Sequence, residues 1–222
     1  MPAGNVAKKI QAAEIKPAKI SESTVRRLSL YLRLLQEAEG LGQETISSEE
    51  LADRSGTTAA QVRKDLSVFG SFGKRGLGYA VPELLHELRQ ILGLNRSWRV
   101  ALIGAGKIGS ALISYRNFEH RGFKIEAVFD ADRAKVGKRW GTRTILGDEE
   151  MERVLREMEI EIAIVAVPAG AAQEVVDRVV KTGVSAILNF APVRLRVPDR
   201  VALRNVDMVV EMEGLAFALN SR

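Results

Sequence analysis

The tightest constraint on this fold is a six-residue loop, Gly104-Ala105-Gly106-Lys107-Ile108-Gly109. It is a GxGxxG pattern set between a short apolar run at 99–103 and a helical pattern at 108–115. In such a loop the first glycine permits a tight turn, the second lets backbone approach a pyrophosphate, and the third lets helix pack on strand. The amides and dipole opening the following helix favour phosphate charge. A second apolar run, 123–130, ends in Asp130, 21 residues beyond Gly109. A carboxylate there accepts hydrogen bonds from a ribose 2′-hydroxyl and repels a 2′-phosphate. The pattern therefore predicts NADH or NAD+ as the ligand.

Two more apolar runs, 160–167 and 184–190, flank a helical pattern at 171–181. Strands alternating with helices predict an α/β fold, a Rossmann-like, doubly wound parallel sheet over 98–210. Ligands of such sheets lie at the carboxyl ends of the strands. Here those ends are Val167-Pro168 and Asn189-Phe190-Ala191-Pro192, mostly apolar. Burying an unpaired ring charge is unfavourable, so this end of the pocket is expected to prefer the reduced, uncharged nicotinamide. At 211–220, Met212, Leu215, Ala216 and Leu219 share one helical face, which predicts an amphipathic C-terminal helix at 211–222.

The first hundred residues read differently. Val25, Leu28, Leu32 and Leu35 recur at helical spacing after the cap-type residues Ser21 and Ser23, and Gly40 closes the run. Ser47 and Glu50 form a capping box for a short helix at 49–54, which stops at Gly56; Thr57 and Thr58 open a third helix running to Val68. This is helix-turn-helix spacing. Val62, Leu66 and Phe69 face inward on the third helix, while Gln61, Lys64, Asp65 and Val68 share another face with Arg63 beside it. Glutamine pairs with adenine, and lysine or arginine with guanine or phosphate, so Gln61, Arg63 and Lys64 are candidate DNA contacts. Thr58 and Gln61 also have capping-box spacing, which would hold the glutamine locally. The glycine-punctuated stretch 69–79 suits a hairpin wing whose Lys74 and Arg75 reach the DNA backbone or minor groove. Pro82 opens a further helix that ends at Gly93. The winged helix is thus expected over 21–97, preceded by a flexible basic arm at 1–20.

Composition narrows the function. The 33 basic and 28 acidic residues leave +5, a mild excess, but from Arg54 to Arg75 five basic residues stand against the single acid Asp65. With no cysteine and two histidines, His86 and His120, thiolate chemistry is excluded and histidine-rich metal chemistry disfavoured. No apolar run of about 18 residues suggests a membrane span and no signal-peptide core is present, so a cytoplasmic location is expected. A dehydrogenase needs a proton donor beside the hydride acceptor. No substrate domain follows the nucleotide unit, and its one histidine, His120, lies in a loop, so no enzyme is expected. An oxidoreductase with a winged-helix appendage, or a regulator answering to another nucleotide such as coenzyme A, are the competing readings.

Several motifs agree in order with one family. Residues 61–66 (QVRKDL), 69–79, 91–95 (ILGLN), the GAGKIG loop and 188–192 (LNFAP) resemble the Rex family of redox-sensing transcriptional repressors, over about 21–222. The resemblance implies a homodimer with a winged helix and a Rossmann domain, operator DNA binding when NADH is scarce, and release as NADH rises. NADH and NAD+ are then effectors, not redox substrates. It further implies a last helix exchanged between subunits. It also implies a contact between a first-helix arginine and an acid near the C-terminus that differs between the two states, matched by position to Arg27 and Asp207 with Tyr115 as a third member. Where the family pattern often carries an aromatic residue after that acid, this chain has Met208.

Overall fold

The computed structural model describes residues 20–73 and 76–221, so residues 1–19 of the expected arm and the wing residues Lys74 and Arg75 lie outside the described residues. Contacts divide the chain into two units, one up to Asn95 and one from Arg96.

In the N-terminal unit α1 (Glu22–Gly40) begins where the Ser21 hydroxyl accepts the Thr24 amide at 3.2 Å. Leu28, Leu32 and Leu35, spaced at i, i+4 and i+7, fall on its buried face. The connection carries β1 (Thr45–Ile46) into α2 (Ser48–Ser55), and α3 (Ala59–Ser67) follows. Each of the latter helices starts on a side-chain cap: Ser47 accepts the Glu50 amide at 3.0 Å and Thr58 the Gln61 amide at 3.2 Å. After the glycine stretch come β2 (Tyr79–Ala80) and α4 (Val81–Ile91), with Pro82 in its first turn. Leucines of α1, α2 and α4 meet Val62 and Leu66 of α3 in one core. Within the 69–79 stretch, Gly73 lies directly against Gly78 and Tyr79. The last residues of the stretch pair antiparallel with β1, Ile46 opposite Tyr79. Gly70, Gly73, Gly76 and Gly78 all hold positive φ.

The C-terminal unit is a seven-stranded sheet. Its strands are β3 (Trp98–Ile103), β4 (Phe123–Asp130), β5 (Arg139–Trp140), β6 (Arg143–Gly147), β7 (Ile162–Val165), β8 (Ala186–Asn189) and β9 (Ala202–Asn205). They lie in the order β5-β6-β4-β3-β7-β8-β9, all parallel except β5. Leaving out β5, this is the 3-2-1-4-5-6 order of dinucleotide-binding sheets. The period of two splits the sheet's side chains. Ala101, Ile103, Ala127, Phe129, Ala163 and Val165 pack with α7 (Met151–Glu157) and α8 (Ala169–Val180), while Val100, Leu102, Val128 and Ile164 take the other face with residues of α5 (Lys107–Ile113) and α6 (Asn117–His120). The strands β5, β6 and β9 are the ones the apolar runs did not reveal. They are short, edge-ward, and interrupted by Arg139, Arg143 and Arg204.

The last helix, α9 (Met208–Asn220), starts at Met208 rather than Glu211, because the Asp207 carboxylate caps it by accepting the Val209 amide at 2.9 Å. Nor is it amphipathic. Val209, Val210 and Phe217 are apolar and exposed along with Met212, Leu215 and Leu219, and no residue of α9 is buried.

Candidate functional site

The glycine loop joins the end of β3 to the start of α5, at the carboxyl edge of the sheet. Gly104 has φ 102°, and a Cβ there would strike the carbonyl oxygen of Ala166. A Cβ on Gly109 would strike the carbonyl oxygen of Gly104 itself, so only glycine lets α5 sit this close to its own loop. The Gly104 amide is spent on the Phe129 carbonyl (2.8 Å) and the Ala105 amide on the Asp130 carboxylate (2.7 Å). Ala105 thus braces the loop, and the amides of Gly106, Lys107 and Ile108 open α5, where a helix leaves its first amides without an acceptor of its own.

Asp130 sits at the end of β4 with three donors. Its Oδ2 accepts from Ala105 N–H and from Lys135 Nζ at 3.0 Å, and its Oδ1 accepts from Asp132 N–H at 2.8 Å. Burial alone would raise the carboxyl, but the Asp132 amide, Lys135 and the Ala105 amide together hold it below its ordinary value. A cleft of about 910 Å³ opens beside it, lined by Gly104, Gly106, Lys107, Ile108, Asp130, Val167 and Pro168. The structure thus brings together most of the ligand residues expected at the loop, the β4 end and the β7 end.

The β8 end is different. Asn189, Phe190, Ala191 and Pro192 do not line this cleft. Asn189 is 1% exposed, and its amide is consumed locally: Nδ2 donates to Ala191 O (3.0 Å) and Asn205 Oδ1 (2.9 Å), and Oδ1 accepts from Ala191 N–H (2.9 Å). It latches the chain as it leaves β8. Among the cleft residues that sequence reasoning missed are Asp148 and Arg178. Asp148 follows β6, a strand too short to stand out, and Arg178 of α8 donates to it at 2.6 Å and to Glu152 at 2.6 Å. The salt bridges with Arg178 lower the Glu152 carboxyl to about 2.

In the N-terminal unit, α3 presents its candidates unequally. Lys64 is exposed and makes no ion pair among the described residues. Arg63 donates to Ser48 Oγ at 2.8 Å and Glu49 Oε1 at 3.2 Å, at the start of α2. Gln61 does not close a capping box; its Nε2 reaches forward to Asp65 Oδ1 at 2.8 Å. Asp65 itself is 2% exposed, which corrects its place on the outer face. It receives Arg27 Nε at 2.6 Å, Arg27 Nη2 at 2.7 Å and the Tyr31 hydroxyl at 3.0 Å, all from α1. Burial pushes this carboxyl up, and the bonds from Arg27, Gln61 and Tyr31 outweigh it, leaving the group below its ordinary value. The signal for this cluster was in α1: Tyr31 lies on the same face as Leu28 and Leu35, and a buried tyrosine hydroxyl needs a partner.

Of the remaining candidates, Arg27 is held by Asp65, Asp207 caps α9, and Tyr115 is exposed. The Tyr115 hydroxyl accepts from Asn117 Nδ2 at 3.0 Å, and its ring meets Phe118 edge to face.

Residues 19–67 match a family described as putative DNA-binding protein N-terminus, and residues 95–193 one described as CoA binding domain. A protein of Carboxydothermus hydrogenoformans named redox-sensing transcriptional repressor Rex is 50% identical over 203 residues, 91% of this chain and 98% of that protein. One of Pelotomaculum thermopropionicum with the same name is 50% identical over 92% of this chain and 96% of its own. Among solved structures, RSP in complex with β-NAD+ and operator DNA is 38% identical with a TM-score of 0.87, covering 91% of this chain and 93% of that one. RSP in complex with β-NADH is 36% identical with a TM-score of 0.84, covering 91% and 95%.

Proposed function

This chain belongs to the Rex family of redox-sensing transcriptional repressors, and on that premise we propose that it binds operator DNA as a homodimer while NADH is scarce and leaves it when NADH fills the cleft beside the glycine loop. Its relatives are named repressors, and the chain is a regulator rather than an enzyme. The observation that carries the reading is Asp130: a carboxylate bonded to the glycine loop at the mouth of a dinucleotide-sized cleft, in a chain whose other unit is a helix-turn-helix.

NADH and NAD+ act here as effectors. The amides of Gly106, Lys107 and Ile108 take the pyrophosphate, and Asp130 takes the adenosine ribose. Val167 and Pro168 supply the apolar wall at the β7 end of the cleft. No helix of the described residues is long and apolar enough to cross a membrane, and we assign the protein to the cytoplasm, where NADH and promoter DNA meet. The exposed apolar helix α9 is the dimerisation element, exchanged between two copies.

Two recognition helices related by a two-fold axis need a set spacing to meet successive major grooves. A coupling of about 1.4–3 kcal/mol between the sites changes operator affinity roughly ten- to a hundredfold, and by reciprocity the operator weakens NADH binding by the same factor. An electrophoretic shift on genomic fragments, titrated with NADH, NAD+ and NADPH, tests this. Release by NADH alone is the expected result. Equal release by all three, or by none, would overturn it.

A further inference from the structure

We propose that Asp65, a buried residue that cannot itself touch DNA, sets the direction of the Gln61 amide and thereby fixes one base preference of α3. The inference rests on the reading of α3 as the DNA-reading helix.

A carboxylate only accepts, so Gln61 must turn its NH2 group toward Asp65 Oδ1, 2.8 Å away, and its carbonyl oxygen the other way. The amide has two N–H bonds. One of them is taken by Asp65; the other, with the carbonyl oxygen, makes up one donor and one acceptor for a base, the pair that fits adenine N6–H and N7 in the major groove. Were Asp65 absent, the amide could present either end.

Asp65 is in turn immobilised from the opposite helix. Arg27 grips it with two nitrogens at 2.6 and 2.7 Å, and the Tyr31 hydroxyl donates to Oδ2 at 3.0 Å. With Gln61 included, four donors converge on two oxygens that are almost wholly removed from water. The Arg27 guanidinium cancels a charge that would otherwise repel phosphate near the reading helix. Asp65 is therefore a positioning residue. It acts through Gln61 and, by tying α3 to α1, on the seating of the helix.

The test is base preference, which a merely structural role would not move at one position alone. The full chain, with NAD+ present, selects from a random-sequence duplex pool, and the bound fraction is sequenced. In the wild type one adenine per half-site is expected to be preferred roughly five- to a hundredfold, the range of a single two-pronged contact. Gln61→Ala and Asp65→Asn should each erase that preference and leave the other positions intact, and the double variant should lose nothing further. A preference retained by either single variant overturns the proposal, as does an even loss at every position. A wild type without any sequence preference would instead sink the DNA-reading assignment itself. If Asp65→Asn does not fold, the pair Asp65→Ala with Arg27→Ala replaces it, since it removes the acceptor and its countercharge together. Loss of preference at the same base pair alone supports the proposal, and a retained preference overturns it.

Discussion

The Asp130 carboxylate accepts the Ala105 amide at 2.7 Å, fastening the end of β4 to the glycine loop that leaves β3. The residue that would read the ribose is thus also the one that holds the phosphate loop in shape. Asp130→Ala leaves the Ala105 and Asp132 amides without their acceptor and Lys135 with only the longer contact to Asp132, 3.8 Å. The unmade bonds weigh about 1–3 kcal/mol each at a part-buried site. NADH affinity is expected to fall at least about tenfold, and the freed Lys135 to narrow the gap between NADH and NADPH. Isothermal titration with both dinucleotides reads the two effects, and an unchanged ratio of affinities would remove Asp130 from the ribose site. Operator binding without NADH should persist.

The Arg27–Asp65 pair predicts an acid limit for the N-terminal unit. The folded carboxyl titrates below its unfolded value of about 3.9, so its contribution to stability is fully present above about pH 4 and is lost as pH falls through the lower folded value. The urea midpoint of the amide NMR signals of Leu28–Leu35 should stay level from about pH 7 to 5 and drop below about pH 4. Asp65→Asn leaves Arg27 without its countercharge, at a penalty of about 3 kcal/mol at neutral pH, and should flatten the acid limb. An acid limb identical in the variant would show that other carboxylates govern it.

These two cases mark how far the sequence could be read. The glycine loop and Asp130 were legible because GxGxxG is a local demand: two carbonyl oxygens leave no room for a Cβ at Gly104 or Gly109. Helix caps at Ser47 and Thr58 were legible for the same reason. Asp65 was misplaced because a helical wheel sees only α3, whereas Arg27 and Tyr31, 38 and 34 residues earlier, decide its burial. Asn189 had no local signal either, since its partner Asn205 arrives on the unforeseen strand β9. The reading of α9 erred in the opposite sense. Met212, Leu215, Ala216 and Leu219 suggested a single apolar face, yet Val209, Val210 and Phe217 make the helix apolar on several sides.

Arg63 and Lys64 are expected to differ in their contact with DNA. Arg63 is paired with Glu49, but both side chains are more than half exposed, and phosphate competes readily for such a guanidinium. Lys64 has no ion pair to give up among the described residues. Each replacement by alanine should lower the slope of log affinity against log salt by ~0.9 if the side chain neutralises one phosphate. Glu49→Gln should tighten binding to any duplex, because it frees Arg63 without adding a base contact. Fluorescence anisotropy across a salt series reads all three. A slope that Lys64→Ala leaves unaltered would place that lysine off the backbone.

Leu215 and Phe217 are 61% and 74% exposed on α9, a helix with no buried residue. Leaving such side chains in water forgoes about 1.5–3 kcal/mol each relative to burial, so a helix of this composition calls for a covering surface. A second copy of the chain meets the demand twice over, because a two-fold axis buries both helices in one step. Leu215→Glu forfeits that burial and sets a carboxylate against apolar surface, and should raise the dimer dissociation constant by at least about tenfold. Sedimentation equilibrium measures this directly, with far-UV circular dichroism showing whether the units stay folded. If the variant keeps the wild-type mass at every concentration, α9 is not the dimer's seam. If it dissociates and operator binding falls with it, the spacing of two α3 helices depends on a contact made by the chain's last helix.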